Sequence, residues 1–224
     1  MDPNNYRPIS ILSNASKLLE RHICQHIYNF FSSYDLLYKA QSGFRPHHSC
    51  ETALIRLIDM WHKNIEEGQL NGFVLIDFHK VFDMINIDLL LSKLKLYQFD
   101  ETLLKWMNSY LKERNHSIKI NDYLSSLTPI THGVPQGSII VPLLFIIFVN
   151  DLHLSTNLPI DMYADDSTLH TNGKTVAELN EKLTTAVSSV NDWCTSNDMV
   201  INEKKTKSMT ICTYQKETKI GSCE

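Results

Sequence analysis

The sequence predicts an α+β fold, an antiparallel sheet with helices packed on one face, and three observations carry that reading. Residues 73–76, Phe-Val-Leu-Ile, form an apolar run of strand length that ends on Asp77. Residues 160–170 place apolar side chains before Tyr163-Ala164-Asp165-Asp166 and more polar ones after it, the pattern of a hairpin with two acids at its tip. The remaining chain is dominated by segments with apolar residues three and four apart, the spacing of amphipathic helices. In order these give a helical region, a buried strand ending in an acid, helices, a glycine-containing loop, a helix, the acidic hairpin, a long helix and a strand pair. That order is βαββαβ-like.

Bulk properties exclude several classes. A hydrophobic content of 43% with 21% charged residues belongs to a folded chain rather than a disordered one. A formal net charge of -4 excludes binding to nucleic acid by bulk positive charge alone, so local clusters or bound metal would have to do it. The five cysteines are odd in number and lack any CxxC spacing, which suggests neither a disulfide framework nor a zinc site and makes a reducing, intracellular compartment the default, nucleus or cytoplasm. No apolar signal follows Met1. The most apolar stretch, residues 139–149, is too short to span a bilayer and is interrupted by Pro142, so it reads as a buried helix and no membrane partner is expected.

Taken in order, Pro3 and Pro8 keep the N-terminus extended. From Ser16 a helix is expected with Leu18, Leu19, Ile23, Ile27, Phe30 and Phe31 on its apolar face; His22 and His26, four apart, suit either a solvated face or a metal that lacks a third ligand. Residues 41–49 are loop-like around Gly43 and Pro46, and Arg45 there is either a surface arginine or a phosphate contact. Ser49 caps a second helix with Ala53, Leu54, Leu57, Ile58, Trp61 and Ile65 on one face, ended by Gly68. The strand at 73–76 reads as buried on both faces and delivers Asp77 to the rim of the sheet, where an acid is costly unless solvated, paired or metal-bound. Asn86 and Asp100 cap two helices whose leucine and aromatic faces, Trp106 and Tyr110 included, read as core. Asn121-Asp122 marks a hairpin turn. Residues 131–138, Thr-His-Gly-Val-Pro-Gln-Gly-Ser, open a helix over 139–152 and are either a tight connector or an anion site made by free amides. Asn172-Gly173 marks a turn before a long helix carrying Val176, Leu179, Leu183, Val187, Val190 and Cys194, and two short strands then flank Lys204, Lys205 and Lys207.

The acids give these pieces a chemistry. Asp77 at one strand exit and Asp165 on a neighbouring hairpin can meet at the sheet edge and hold two divalent cations about 3.5–4 Å apart, the separation used in two-metal phosphoryl chemistry. Magnesium suits carboxylate and phosphate oxygens, and no histidine or cysteine is needed.

With these motifs in register (NYRPIS, QSGFR, LIDFHKVFD, THGVPQGS followed by PLLF and ND, YADD, and INEKKT) the chain resembles a reverse transcriptase domain, most closely the kind carried by non-LTR, LINE-like retrotransposons. The resemblance implies a polymerase palm plus a partial, largely helical fingers region: fingers at about 1–70, palm at 71–213 with a fingers-type insertion around 86–135, and no thumb. It also implies a nucleotidyltransferase that copies an RNA template by transferring deoxynucleotides from deoxynucleoside triphosphates to a DNA primer, with release of pyrophosphate and with two Mg2+ ions, Mn2+ being a substitute. Asp77, Asp165 and Asp166 match the catalytic and metal-binding acids. Phe82 matches the aromatic under the sugar, Arg45 the arginine on the triphosphate, Gln136 the residue contacting nucleotide and template, and Lys205 the lysine near the triphosphate, while Tyr163 would lie near the primer terminus. Val81 departs from the usual alanine, Val141 from the usual glycine, and Asn115-His116 from the common arginine-x-glutamine. The alternative is a catalytically inactive remnant that folds and at most binds nucleic acid weakly. Another palm enzyme, such as a nucleotidyl cyclase, explains the acids but neither VPQG nor QSGFR.

Overall fold

The computed structural model describes residues 10–130 and 132–213; the extended N-terminus expected around Pro3 and Pro8, Thr131 of the glycine loop and Cys223 lie outside them. The helices are α1 (Asn14–Ser33), α2 (Cys50–Glu66), α3 (Val81–Met84), α4 (Ile87–Leu96), α5 (Glu101–Lys112), α6 (Val141–Phe148) and α7 (Val176–Ser196). The strands are β1 (Leu70–Ile76), β2 (Asn115–His116), β3 (Lys119–Ile120), β4 (Tyr123–Leu124), β5 (Thr128–Pro129), β6 (Ile160–Tyr163), β7 (Asp166–Gly173) and β8 (Lys207–Ile211). They form two compact units, one from residues 1–31 and 80–148, the other from 32–79 and 149–224.

In the second unit an antiparallel sheet of order β6-β7-β1-β8 has β1 at its heart, with Leu70 opposite Gly173 and Ile76 opposite Ser167. Successive β1 residues point to opposite faces. A Cβ at Gly72 would stand 3.1–3.3 Å from Leu179 and Leu183, so α7 covers that face through the predicted stripe, deepened by Ala186. The opposite face is not bare, because α2 lies on it: the Trp61 ring is 4.6 Å from that of Phe73, and Asn64 bonds the fully buried Asn71 at 2.7 Å. Toward Asp77 this cover ends, and Leu75 is 44% exposed, so β1 is not buried on both faces throughout. Ser49 caps α2 in a reciprocal capping box with Thr52, and Gly68, at φ +72, ends it as expected.

Asn172-Gly173 is not a turn. Both residues stay in β7, paired with Asn71 and Leu70, and Asn172 also bonds Asn64. The pairing of the sheet outweighs the local turn preference. The basic segment likewise gives one strand rather than two: Ile201 makes a single bridge to Phe78, and Lys207 begins β8 instead of lying in the turn.

In the first unit α6 is buried on every side, as its unbroken apolar sequence requires. It begins at Val141 and ends at Phe148, shorter than the 139–152 expected, and Pro142 falls in its first turn, where a missing N–H costs nothing. Asn86 and Asp100 cap α4 and α5 through side-chain bonds to two amides each. Leu96, expected in the core, is 82% exposed. The buried face of α1 carries Glu20, Ile27 and Phe31, four to seven residues apart, while Leu18 and Leu19 of the expected face are exposed. β3 and β4 pair around Asn121-Asp122, and β2 pairs β5, so the predicted hairpin forms, with every strand residue exposed. Among the described residues no helix is long and apolar enough to cross a membrane.

Candidate functional site

In the sheet unit, the antiparallel register that sets Ile76 against Ser167 carries β1 on to Asp77 beside the start of β7 at Asp166. Tyr163 pairs with Asp166, which leaves Ala164 and Asp165 as a two-residue turn with Ala164 at φ +58. Burial, then the negative charges of Asp165 and Asp77, raise the Asp166 carboxyl above the usual carboxylate range. Asp166 is therefore close enough to Asp165 and to Asp77 to feel both charges. Among the described residues, no three His, Cys, Asp or Glu side chains converge as a finished metal cage. The donor set is nonetheless of the right chemistry, since like-charged carboxylates at a sheet rim suit a hard divalent cation that keeps part of its water shell.

The acidic turn is held from behind by the QSGFR segment. Gln41 Oε1 accepts hydrogen bonds from Ala164 N at 3.0 Å and from Gly43 N at 2.7 Å, and its Nε2 donates to Ala164 O at 3.4 Å. Ser42 N donates to Met162 O at 2.8 Å, and Met162 N to Ala40 O at 2.9 Å. Gly43 lies so close that a Cβ there would stand 2.0 Å from Ala164 N. Arg45 belongs to the same brace: its Nη1 donates to the carbonyls of Tyr38 and Gln41, both at 3.0 Å, so part of its guanidinium is engaged in shaping the loop. Tyr163 is half-buried, and a hydrogen bond with the Cys50 thiol raises its hydroxyl.

The INEKKT segment grips Asp77 through its backbone. Asn202 N donates to Asp77 O at 2.7 Å, and Asp77 N donates to Thr206 Oγ1 at 3.3 Å. Lys205 Nζ stands 4.0 Å from Asp77 Oδ2 with its side chain two-thirds exposed, a cation beside the acids and open to solvent. Asp77, Asp165, Asp166 and Lys205 are thus brought together, and Arg45 and Tyr163 lie on the segments that carry the turn.

Phe82 and Gln136 belong to the first unit and are tied to each other there. Gly133 N and Val134 N donate to Ile85 O and Phe82 O at 3.1 and 2.8 Å, and a Cβ at Gly133, φ +77, would meet Asp83 O at 2.7 Å. Gln136 Nε2 donates to Asp83 Oδ1 at 2.7 Å, which orients the amide, and the Phe82 ring rests on Phe145 at 5.0 Å. Val81 and Val141, the departures from the usual alanine and glycine, are 4% and 2% exposed, so their methyls are taken up by the core.

Four contributors were missed in the sequence. Gln41 lies in a segment read for Gly43, Arg45 and Pro46, Asn202 and Thr206 lie in one read for its lysines, and Asp83, the acid directly after Phe82, reads in the sequence only as charge near Asp77. Glu20 is a fifth. Its signal was an acid at core spacing from Ile27 and Phe31. Of the two readings of residues 131–138, a tight connector or an anion site, the amide end just before α6 is occupied by this carboxylate of the chain itself, which accepts from Ile139 N and Ser138 Oγ, each at 2.8 Å.

The family model described as reverse transcriptase (RNA-dependent DNA polymerase) matches residues 1–220. The RNA-directed DNA polymerase from mobile element jockey of Drosophila melanogaster is 28% identical over 230 residues, covering 99% of this chain and 24% of the relative. The probable RNA-directed DNA polymerase from transposon BS of the same fly is 30% identical over 212 residues, with 91% and 23% covered. The chain spans about a quarter of the length of these curated relatives. Among solved structures, telomerase from Candida tropicalis in complex with a TWJ fragment of telomeric RNA matches with a TM-score of 0.65 at 13% identity, covering 88% of this chain and 34% of that one. At that identity the likeness speaks to the fold alone, and the fold it shares is the palm-like α+β arrangement expected from the sequence.

Proposed function

The chain belongs to the reverse transcriptase family, and on that premise we propose that it carries the polymerising centre of an RNA-directed DNA polymerase of a non-LTR element. The observation that supports this most is Asp166 at the rim of the β6-β7-β1-β8 sheet, beside Asp77 and within reach of the charges of both Asp77 and Asp165; we assign that sheet to the palm, and the rest of the fingers-and-palm partition follows as part of the same proposal. In the reaction the primer 3'-oxygen forms a bond to the α-phosphorus of a deoxynucleoside triphosphate, the bond from that phosphorus to the pyrophosphate oxygen breaks, and the hydroxyl proton leaves to solvent. Asp77, Asp165 and Asp166 would hold two Mg2+ ions, or Mn2+ in their place, which supply Lewis-acid neutralisation of the phosphate oxygens.

The chain's own residues have separate tasks. The Gln41 bracket holds the acidic turn in one conformation, so the carboxylates need not be ordered when substrate arrives. Lys205, 4.0 Å from Asp77 and open to solvent, is assigned to offset charge on the departing pyrophosphate and to give it a proton. Tyr163, preceding the turn, is assigned to the primer terminus. Phe82 is assigned to the deoxyribose, and Gln136, oriented by Asp83, to the nucleotide and template. Arg45 is assigned to the triphosphate through Nη2, since Nη1 is used on Tyr38 and Gln41 and Nε is buried. The test is extension of a DNA primer on an RNA template with Mg2+ and deoxynucleotides, run beside Asp165→Asn. Extension by the parent alone is expected, and equal signal from both proteins overturns the proposal.

A further inference from the structure

Glu20 is 0% exposed, lies on the buried face of α1 and belongs to no motif assigned above. A carboxylate in such a place costs several kcal/mol unless donors replace its water. Here they do. Ser16 Oγ donates to Oε1 at 2.8 Å, and Ser138 Oγ and Ile139 N donate to Oε2 at 2.8 Å each. Tyr110 Oη stands 3.0 Å from Oε1 and 2.9 Å from Ser138 Oγ, and its single proton serves one of them at a time. Burial alone would raise the Glu20 carboxyl, but these bonds, that of Ile139 foremost, hold it below the usual range. Burial and the Glu20 charge push the Tyr110 hydroxyl up to about 12, against the bond to Ser138 that lowers it, so it remains a neutral donor at pH 7.

Two of these donors, Ser138 and Ile139, lie two and three residues after Gln136 and lead into α6. On its other side the loop is pinned to α3 and its flank through Gly133, Val134 and the Gln136 side chain. The backbone carrying Gln136 is thus fixed at both ends, with Ser10 N donating to Gln136 O at 2.7 Å between them, and at the end nearer α6 Glu20 supplies the carboxylate that holds Ser138 and Ile139, beside a longer Cys24 Sγ contact to Ile139 O at 3.9 Å. We infer that Glu20 is a positioning residue: with Tyr110 and Ser138 it fixes residues 136–139, and through them sets where Gln136 presents its amide. The catalytic consequence rests on the polymerase reading above.

Glu20→Gln keeps the size of the side chain but presents an NH2 group to donors, while Tyr110→Phe removes one hydroxyl and keeps the ring stacked on Trp106. Both are compared with the parent by amide hydrogen exchange and by steady-state primer extension. Expected in Glu20→Gln is roughly tenfold faster exchange confined to residues 136–140, with α4 and α5 unchanged, and a roughly tenfold higher KM for the incoming nucleotide with kcat little altered; Tyr110→Phe shifts both the same way by about threefold. Unchanged exchange in 136–140, exchange accelerated throughout the unit, or a loss confined to kcat overturns the inference. If Glu20→Gln does not fold, Tyr110→Phe decides by the same criteria. Should the parent itself fail to extend the primer, the polymerase reading falls on that control, and the exchange pattern alone decides whether Glu20 fixes the loop.

Discussion

Gln41 and Ala164 lie 123 residues apart and are joined by paired hydrogen bonds, the Gln41 side-chain amide meeting the Ala164 backbone N–H and C=O as another strand would. Ala164 sits at φ +58, a conformation that alanine disfavours, and this bracket holds it there. Replacing Gln41 by Ala leaves the buried amides of Ala164 and Gly43 without acceptors, which should cost about 2–4 kcal/mol of stability. Because Asp165 and Asp166 follow in the chain, primer extension should fall by at least about tenfold in the fraction that still folds. Urea denaturation and primer extension on the same preparation check both.

Gly43 tolerates no side chain. The Cβ of Gly43→Ala would overlap backbone atoms of Ala164 at 2.0 and 2.5 Å, and since neither partner is a flexible side-chain end, a loss above about 3 kcal/mol or failure to fold is expected. Gly68→Ala is the control. There φ is +72 but nothing lies within 4 Å of the new methyl, so the cost should stay near 1 kcal/mol. A urea midpoint for Gly43→Ala no lower than that of Gly68→Ala would contradict the packing described.

Removing Asp77 should separate stability from activity. Asp166 holds its proton above the usual range through burial and the charges of Asp165 and Asp77, so the metal-free protein loses stability as pH rises from the ordinary aspartate range through that raised value. Asp77→Asn relieves part of the repulsion. In EDTA at pH 7 the variant should melt above the parent, while adding Mg2+ should raise the parent's melting temperature more than the variant's and primer extension should be lost. Thermal melts with and without EDTA read all of this.

His170 produces the opposite pH trend. It is 5% exposed, and burial together with the neighbouring Arg56 charge pushes its pKa down to about 4, even though Asp161 Oδ2 lies 2.7 Å from its Nε2. A histidine depressed in this way keeps the fold at full stability above the unfolded value near 6.5. As pH falls from there toward 4 the unfolded chain takes up the proton first, and stability drops by at most about 3 kcal/mol. Urea midpoints measured between pH 4 and 7 should slope upward in the parent, and His170→Asn should flatten that slope.

What could be read from the sequence was whatever depends on neighbours along the chain. The caps at Ser49, Asn86 and Asp100, the turn at Asn121-Asp122, the stripe of α7 and the acidic hairpin all rest on residues within a few positions of each other. Long-range pairing overrode local signals elsewhere. Asn172-Gly173 has turn chemistry but gains more from the ladder with Leu70 and Asn71, and Leu75 looked buried until the course of α2 left it uncovered. In the site, Asp77, Asp165, Asp166, Arg45 and Lys205 were legible as charges within motifs and Phe82, Tyr163 and Gln136 as members of those motifs, whereas Asp83 and Glu20, also charged, take partners that only the fold brings to them. Gln41, Asn202 and Thr206 act through neutral bonds to distant backbone, and no local pattern announces such a partner.

The placement of β1 also bears on how the chain is made. Leu70 pairs with Gly173 and Asn71 with Ile211, so the central strand emerges from the ribosome roughly one hundred residues before its first partner, and its second follows later still. Until then its apolar residues have neither β7 nor β8 beside them, a state that invites association between nascent chains. A gene copy whose reading frame broke between β7 and β8 would leave β1 with one bare edge in the finished product. The same strand that carries Asp77 to the rim would then be the part of the protein most prone to aggregate, so damage to such a copy would first appear as loss of soluble protein rather than as loss of catalysis.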